Sequence, residues 1–303
     1  MTNQLRGLKG QLNETCNTWR LRTKTLTFGR TPAIMGIVNV TPDSFSDGGK
    51  FFDAAKAVEH GLKLADEGAA ILDIGGESTR PYSEPVDAEE ERNRVVEVIR
   101  ELAKQTKIPI SIDTSKATVA RAAIDAGAEI INDVTGLEGD PAMLSLAVET
   151  GVGVCAMHMQ GTPQTMQDNP SYGDVVSEIF EYLQQRKTAL LDDGIELEKI
   201  CLDPGIGFGK THAHNLELVA AAERFHQLEC PILVGHSRKG FIGKAIGDKT
   251  ADRTAGTVAA SLQLAQKAIQ ILRVHDVAET KSALAVFDAV GGIDGRTQEF
   301  NKA

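Results

Sequence analysis

Eight side chains in this chain are suited to chemistry, and each stands at the end of a short apolar run: Asn39, Asp113, Asn132, His158, Asp203, Lys239, Arg273 and His275. Asp113, Asn132 and Asp203 form an acceptor-rich set. A carboxylate accepts at both oxygens, and a carboxamide accepts and donates. Aimed into one mouth, the three suit a flat heterocycle with several N–H groups. Two of them also have a plainer use. Asp113 before Thr114 and Ser115 would cap a helix, and Asn132 would cap the segment that follows it. Arg273 and His275 are two residues apart, so in a strand they share a face and together suit a pyrophosphate. His275 alone would read as a satisfied core histidine. Gly235-His-Ser-Arg-Lys-Gly240 adds exposed amides, Ser237 and Arg238, which also suit an anion.

Three loops extend this set. Gly36-Ile-Val-Asn-Val-Thr-Pro-Asp-Ser-Phe-Ser-Asp-Gly-Gly49 begins as a strand and stops at Asn39. Its remainder, with Asp43, Phe45, Ser46 and Asp47, reads as a mobile loop hung on a rigid element, where functional groups concentrate. Gly75-Gly-Glu-Ser-Thr-Arg-Pro81 is a second loop, in which Arg80 would meet an anion or an aromatic ring. The third, Asp203-Pro-Gly-Ile-Gly-Phe-Gly-Lys210, is not a phosphate loop: that motif needs its first glycine at Pro204. Its glycines suit close approach of backbone to a flat ligand, with Phe208 beside it. His212 and His214 behind it read as a solvent-facing helix start rather than a metal pair.

Something must bring these residues together. From residue 33 onward, short runs rich in Ile and Val alternate with longer amphipathic segments. The strands are expected to end near Asn39, Gly75, Asp113, Asn132, His158, Asp203, Gly235 and His275. Helices are expected over 53–67, 88–105, 116–126, 140–149, 173–193, 213–227, 252–268 and 278–289, with a short one after residue 239. Gly68, Gly127, Gly151 and Gly194 stand where left-handed caps would end four of them. Such alternation implies parallel strands with right-handed crossovers, and eight units in about 250 residues match an α/β (β/α)8 barrel. An open doubly wound sheet is the alternative. In a barrel, chemistry sits at the C-terminal strand ends, which is where the polar residues fall. Residues 1–30 show period-two alternation around Trp19 and predict a short hairpin covering one end of the core. The expected organisation is an N-terminal hairpin over 1–30, the barrel over 31–291 and a polar tail over 292–303.

The bulk properties narrow the class of function. The chain has 303 residues, 42% hydrophobic and 24% charged, as in a soluble globular protein. A net charge of −10 argues against nucleic acid as a main partner, yet leaves room for a small anion held by a local basic cluster. No apolar run is long enough to span a membrane. The polar N-terminal stretch lacks a signal-peptide core, so a cytoplasmic location is expected. Cys16, Cys155, Cys201 and Cys230 form no CxxC pair and read as reduced thiols.

Seven motifs in order carry a family resemblance. They are Gly36-Ile-Val-Asn-Val-Thr-Pro-Asp-Ser-Phe-Ser-Asp-Gly48, Gly75-Gly-Glu-Ser-Thr-Arg-Pro81, Ser111-Ile-Asp-Thr114, Ile131-Asn-Asp-Val134, Asp203-Pro-Gly-Ile-Gly-Phe208, Ser237-Arg-Lys239 and Arg273-Val-His-Asp-Val277. Over roughly residues 33–290 the chain resembles the dihydropteroate synthases. The resemblance implies a transferase that joins 4-aminobenzoate to a dihydropterin methyl diphosphate and releases pyrophosphate. It implies that Asp113, Asn132, Met157, Asp203 and Lys239 hold the pterin. Asn39, Arg273 and His275 would hold pyrophosphate, Asn39 through Mg²⁺. Thr79, Arg80, Pro81, Phe208 and Ser237 would face 4-aminobenzoate. Asp47 is the candidate to stabilise a pterin cation, with Lys239 and Arg273 as the other catalytic groups. Asp43, Phe45 and Ser46 would ride on the first loop, and the first two loops would close over the site. A homodimer packed through 252–289 is also expected. Departures are His236, Gln270 and the unmatched first thirty residues. A pterin-binding methyltransferase would share the acids but lack the first loop and the Ser237 and Arg273 motifs. A non-catalytic pterin-binding subunit would have lost them.

Overall fold

The computed structural model describes residues 16–41 and 50–297, with backbone alone over 50–53. The chain opens with an antiparallel hairpin, β1 (Thr18–Arg20) and β2 (Thr25–Thr27), in which Trp19 faces Leu26. Strands β3 (Ala33–Asn39), β4 (Ile71–Gly75), β5 (Ile110–Asp113), β6 (Ile130–Asp133), β7 (Gly153–Met157) and β8 (Ile200–Asp203) follow. The last two are β9 (Leu233–Val234) and β10 (Ile271–Val274). They form one parallel sheet in the order β8-β7-β6-β5-β4-β3-β10-β9. A parallel bridge between Leu202 and Ile232 joins its two edges and closes the barrel.

The connecting helices are α1 (Lys50–Glu67), α2 (Ala88–Gln105), α3 (Ala117–Ala126), α4 (Met143–Thr150), α5 (Val175–Asp192), α6 (His212–Ala220), α7 (Gly240–Ile246), α8 (Thr254–Gln266) and α9 (Val277–Ala289). Helix α2 shows how local sequence selects them. Asp87 accepts hydrogen bonds from the Glu89 and Glu90 amides, and Val95, Val98, Ile99 and Leu102 recur at helical spacing on the buried face. Gly68, Gly127, Gly151 and Gly194 all adopt positive φ, as helix-stopping residues require. Most boundaries agree with the sequence reading to within three residues. The expected helix over 213–227 is instead α6 followed by a tighter 3-10 segment, Ala222–Leu228.

Two apolar layers hold the barrel. Outward-facing residues such as Val38, Ile74, Ile112, Val154 and Leu202 meet the helices in the larger core. Inside, at the N-terminal end, Met35, Ile71, Ile130, Cys155, Cys201, Leu233 and Ile271 form a second buried cluster. The hairpin closes that end with Trp19, Leu21 and Phe28. Trp19 is 0% exposed, and its indole N–H donates to the Lys199 carbonyl at 2.9 Å. Trp19→Ala removes a large buried ring and strands that carbonyl. It is expected to cost about 3–5 kcal/mol, read as a lowered urea midpoint with an unchanged slope.

Candidate active site

Strand periodicity builds the site directly above the inner apolar layer. Two residues beyond Ile71, Ile130, Cys201 and Ile271, the inward positions are Asp73, Asn132, Asp203 and Arg273. Strand β5 adds Ser111 and Asp113, strand β7 adds Met157, and strand β3 adds Asn39. Register places Asn39 beside Gly75, Gly75 beside Asp113, and Asp113 beside Asn132. Met157 pairs with Asp203 on the far wall. Asp73 and Arg273, 200 residues apart, therefore share one mouth.

The plainer uses of Asp113 and Asn132 fall away. Helix α3 has no side-chain cap from its own start; its Ala117 amide donates to Asp140 at 2.8 Å. The turn after β6 is made by Asp133, which accepts from Thr135 and Leu137. Asp113 and Asn132 are thus left to the barrel interior.

Arg273 is the centre of the charge network. Its Nε donates to Asp73 Oδ2 at 2.5 Å and its Nη2 to Asp113 Oδ2 at 2.6 Å. The same Asp73 oxygen accepts from Asn132 Nδ2 at 3.2 Å. Asp73 is 0% exposed, and its Oδ1 is buried without a partner. Sequence reasoning passed over Asp73. The only available signal was an acid in the middle of an apolar run, two residues ahead of the strand end.

Burial sets the protonation states. It pushes Asp113 up to about 7, even with Arg273 pulling the other way. It also raises Asp203, opposed by the Gly205 amide that donates to its Oδ1 at 2.7 Å. It brings Lys239 down to about 7 despite the nearby Asp203. Burial works against the charge on Arg273 as well, but Asp73 and Asp113 outweigh it and hold the guanidinium firmly ionised. The mouth therefore holds a firmly ionised guanidinium beside an acid and a lysine, Asp113 and Lys239, that burial brings to about the same value.

Lys239 lies with Nζ 4.2 Å from the centre of the Phe208 ring and donates to the Ile206 carbonyl. The glycines of 203–210 serve the protein itself. Gly205 has φ +69°, and a Cβ there would fall 1.9 Å from the His158 carbonyl oxygen. A Cβ on Gly207 would strike the Lys239 stem at 2.7 Å. These glycines allow the loop to pack beneath Lys239 and against β7, where the sequence reading had them approaching a ligand. His158 also turns away from the mouth. Its Nδ1 meets the buried Lys210 Nζ at 2.9 Å, and its ring stands edge-on to Tyr182.

At the β9–β10 rim, Ser237 Oγ accepts from the His275 amide at 3.2 Å and lies 3.0 Å from His275 Nδ1. Burial, then the charges of Arg273 and Arg238, lower His275 to about 4, so the ring is neutral at pH 7. In the tautomer in which the Ser237 hydroxyl donates to Nδ1, the ring proton sits on Nε2, where it can donate to an anion. Arg238 is paired with Asp276, its Nε at 3.0 Å from Oδ2. Two of its three nitrogens, Nε and Nη2, are thus already engaged. Arg80 contributes a further positive field at His275; Arg80 and Pro81 are exposed, and Thr79 is half-buried. Asp43, Phe45, Ser46 and Asp47 lie outside the described residues.

A hard divalent cation fits one point of this rim. The position of a Gly75 Cβ is 3.8 Å from Asn39 Oδ1 and 3.7 Å from Asp113 Oδ2. The glycine thus leaves open a gap edged by two oxygens. Among the described residues no cluster of three or more His, Cys, Asp or Glu side chains could hold a metal. A single amide oxygen suits an ion that keeps its waters and takes its other ligands from a phosphate.

Comparison with known proteins agrees with this geometry. Residues 35–275 match the family model described as pterin binding enzyme. The dihydropteroate synthase of Escherichia coli K12 is 45% identical over 258 residues, covering 85% of this chain and 91% of that protein. The Xanthomonas albilineans dihydropteroate synthase with 4-aminobenzoic acid superposes with a TM-score of 0.84 at 47% identity, over 91% of this chain and 98% of that one. The same enzyme in complex with 7,8-dihydropteroate gives a TM-score of 0.81 at 45% identity, over 90% and 98%. Motif order, barrel geometry and these relatives converge: the chain belongs to the dihydropteroate synthase family of pterin-binding enzymes.

Proposed function

We propose that this chain joins 4-aminobenzoate to (7,8-dihydropterin-6-yl)methyl diphosphate, giving 7,8-dihydropteroate and pyrophosphate. The observation that carries the reading is the buried acceptor set of Asp113, Asn132 and Asp203 around one locked guanidinium. A pterin presents ring and exocyclic N–H donors, which this set matches. Lys239 would donate to its carbonyl edge. Met157 would pack against its face.

The difficult event is heterolysis of the C–O bond to the diphosphate. The field of Arg273 and the Nε2–H of neutral His275 stabilise the charge that develops on the leaving group. A Mg²⁺ held by Asn39 Oδ1 would supply further neutralisation of that charge. The acceptors beneath the pterin favour a ring that gains positive charge, which supports a dissociative displacement. Asp47 is retained as the candidate that faces the cation from the first loop. The aniline nitrogen of 4-aminobenzoate is a neutral nucleophile, so no strong base is required. Thr79, Arg80, Pro81, Phe208 and Ser237 would form the side from which it attacks.

Two further features belong to this reading. Val286 and Val290 stand 65% and 67% exposed, one helical turn apart at the end of α9, and support a homodimer packed through this helix. Four free cysteines, three of them buried, suit the reducing cytoplasm. No described helix is long and apolar enough to cross a membrane.

Incubation with both substrates and Mg²⁺ should release pyrophosphate in proportion to the dihydropteroate formed. A protein that binds the pterin diphosphate in a titration but releases no pyrophosphate would overturn the reading.

A further inference from the structure

The loop between β4 and α2 is far more constrained than its small polar residues suggest. Glu77, at its start, accepts from the Val86 amide at its end through Oε1 at 2.8 Å. Its other oxygen meets Lys116 Nζ at 2.6 Å. Lys116 comes from the turn after β5 and also binds Glu91 Oε2 at 2.6 Å. Glu91, in the first turn of α2, is 0% exposed, and its Oε1 is buried without a partner. One ammonium therefore joins a loop to a fixed point inside the wall. The loop is also closed on itself: Ser83 Oγ donates to the Ser78 carbonyl at 2.5 Å, and Arg94 holds the Gly76 carbonyl at 2.7 Å.

Its far end docks across the mouth. The Tyr82 amide donates to the Pro163 carbonyl at 3.1 Å, and the Tyr82 hydroxyl meets Asp168 at 3.1 Å. Gln164 donates to the Ser83 carbonyl at 3.3 Å. Pro163, Gln164 and Asp168 all belong to the loop after β7, three strands from where this loop starts. Tyr82 takes a left-handed φ of +63° to make the turn. Between these two anchors the chain exposes Arg80 and Pro81 and leaves Thr79 half-buried.

We infer that Glu77 and Lys116 are positioning residues for the second substrate. They hold this loop as a preformed platform that presents Thr79-Arg80-Pro81 to 4-aminobenzoate, and they have no part in holding the pterin. The inference rests on the proposed synthase reaction. It replaces the expectation of a freely closing second loop with that of a clamped one. Preformed binding surfaces lower the ordering cost of association, so the clamp acts on affinity for the amine.

Two variants test it. Glu77→Gln removes the charge but keeps the buried Lys116–Glu91 pair, and so keeps the fold. Lys116→Met releases the loop from the wall. Each should raise the KM for 4-aminobenzoate about tenfold, the scale of one charge-assisted hydrogen bond. The titrated Kd for the pterin diphosphate should stay within about twofold, since a KM change without that loss marks one substrate alone. Hydrogen exchange of the Val86 amide should accelerate in Glu77→Gln. An unchanged amine KM in Glu77→Gln, or a parallel loss of pterin affinity, overturns the clamp. Wild-type protein assayed alongside separates the two claims: if it releases no pyrophosphate the synthase reading fails, whereas turnover without the KM split rejects the clamp alone.

Discussion

Arg273→Ala is expected to lose both turnover and stability. The side chain separates Asp73 and Asp113, and is within 2.6 Å of each. Removing it leaves two carboxylates facing each other in the barrel, one of them 0% exposed. Breaking a buried ion pair from one side costs about 3–5 kcal/mol, because the remaining charge is neither solvated nor paired. Turnover should fall by about 100-fold or more, as for loss of a donor aimed at developing negative charge.

The pH dependence identifies the cause. A carboxyl held above its ordinary value penalises the fold only when ionised. The deficit should therefore be small near pH 4 and grow as pH rises through the folded value of Asp113, already about 7 with Arg273 present. The double variant Asp73→Asn/Arg273→Ala should recover part of the stability and none of the turnover. Urea unfolding at pH 5 and pH 8, with pyrophosphate release, measures both. Wild-type stability in Arg273→Ala at pH 8 would show that the two acids do not depend on the guanidinium.

Lys239→Met is expected to behave in the opposite way, losing activity while keeping or gaining stability. Lys239 is confined between Phe208 and the Ile206 carbonyl, and burial brings it down to about 7. A lysine lowered in the folded state costs stability fully below its folded value, and the cost disappears as pH rises toward its ordinary 10.5. Methionine has similar length and no charge to desolvate. The variant should therefore gain most on the wild type near pH 6 and keep only part of that advantage at pH 9, the rest going as pH rises toward 10.5. The loss of positive charge beside Asp203 acts in the same direction, since Asp203 suffers only when ionised. Turnover should fall by about 100-fold in kcat/KM, because the pterin carbonyl edge loses its donor. Melting curves across pH 6–9 and steady-state kinetics decide it. A variant that melts lower at pH 6 than at pH 9, relative to wild type, would mean that the ammonium stabilises the fold. Sites that exchange stability for function commonly show the pattern expected here.

The barrel was legible from local pattern because its rules are local. Asn39, Asp113, Asp203 and Arg273 stand at strand ends, and a parallel strand in a closed barrel points every second residue inward. Period two alone thus places them in one mouth. The same rule separates Arg273 and His275 from Val274, which faces the helices. The hairpin around Trp19 was legible as a hairpin. Its seat against β7 and the Lys199 carbonyl was not, since that contact joins residues 180 apart.

Asp73, Glu77 and Lys116 stayed hidden for a related reason. Each looks ordinary within its own segment: an acid in a strand, an acid in a loop, a lysine before a helix. Their importance comes from burial and from partners 200, 39 and 25 residues away. Side-chain identity and strand periodicity, both carried in the linear order, determined which chemical groups this protein brings to its mouth. Which of those groups are already bound to one another, which are desolvated, and which loop is clamped were decided by the tertiary structure, because charge pairing and loss of water exist only once distant segments are packed together.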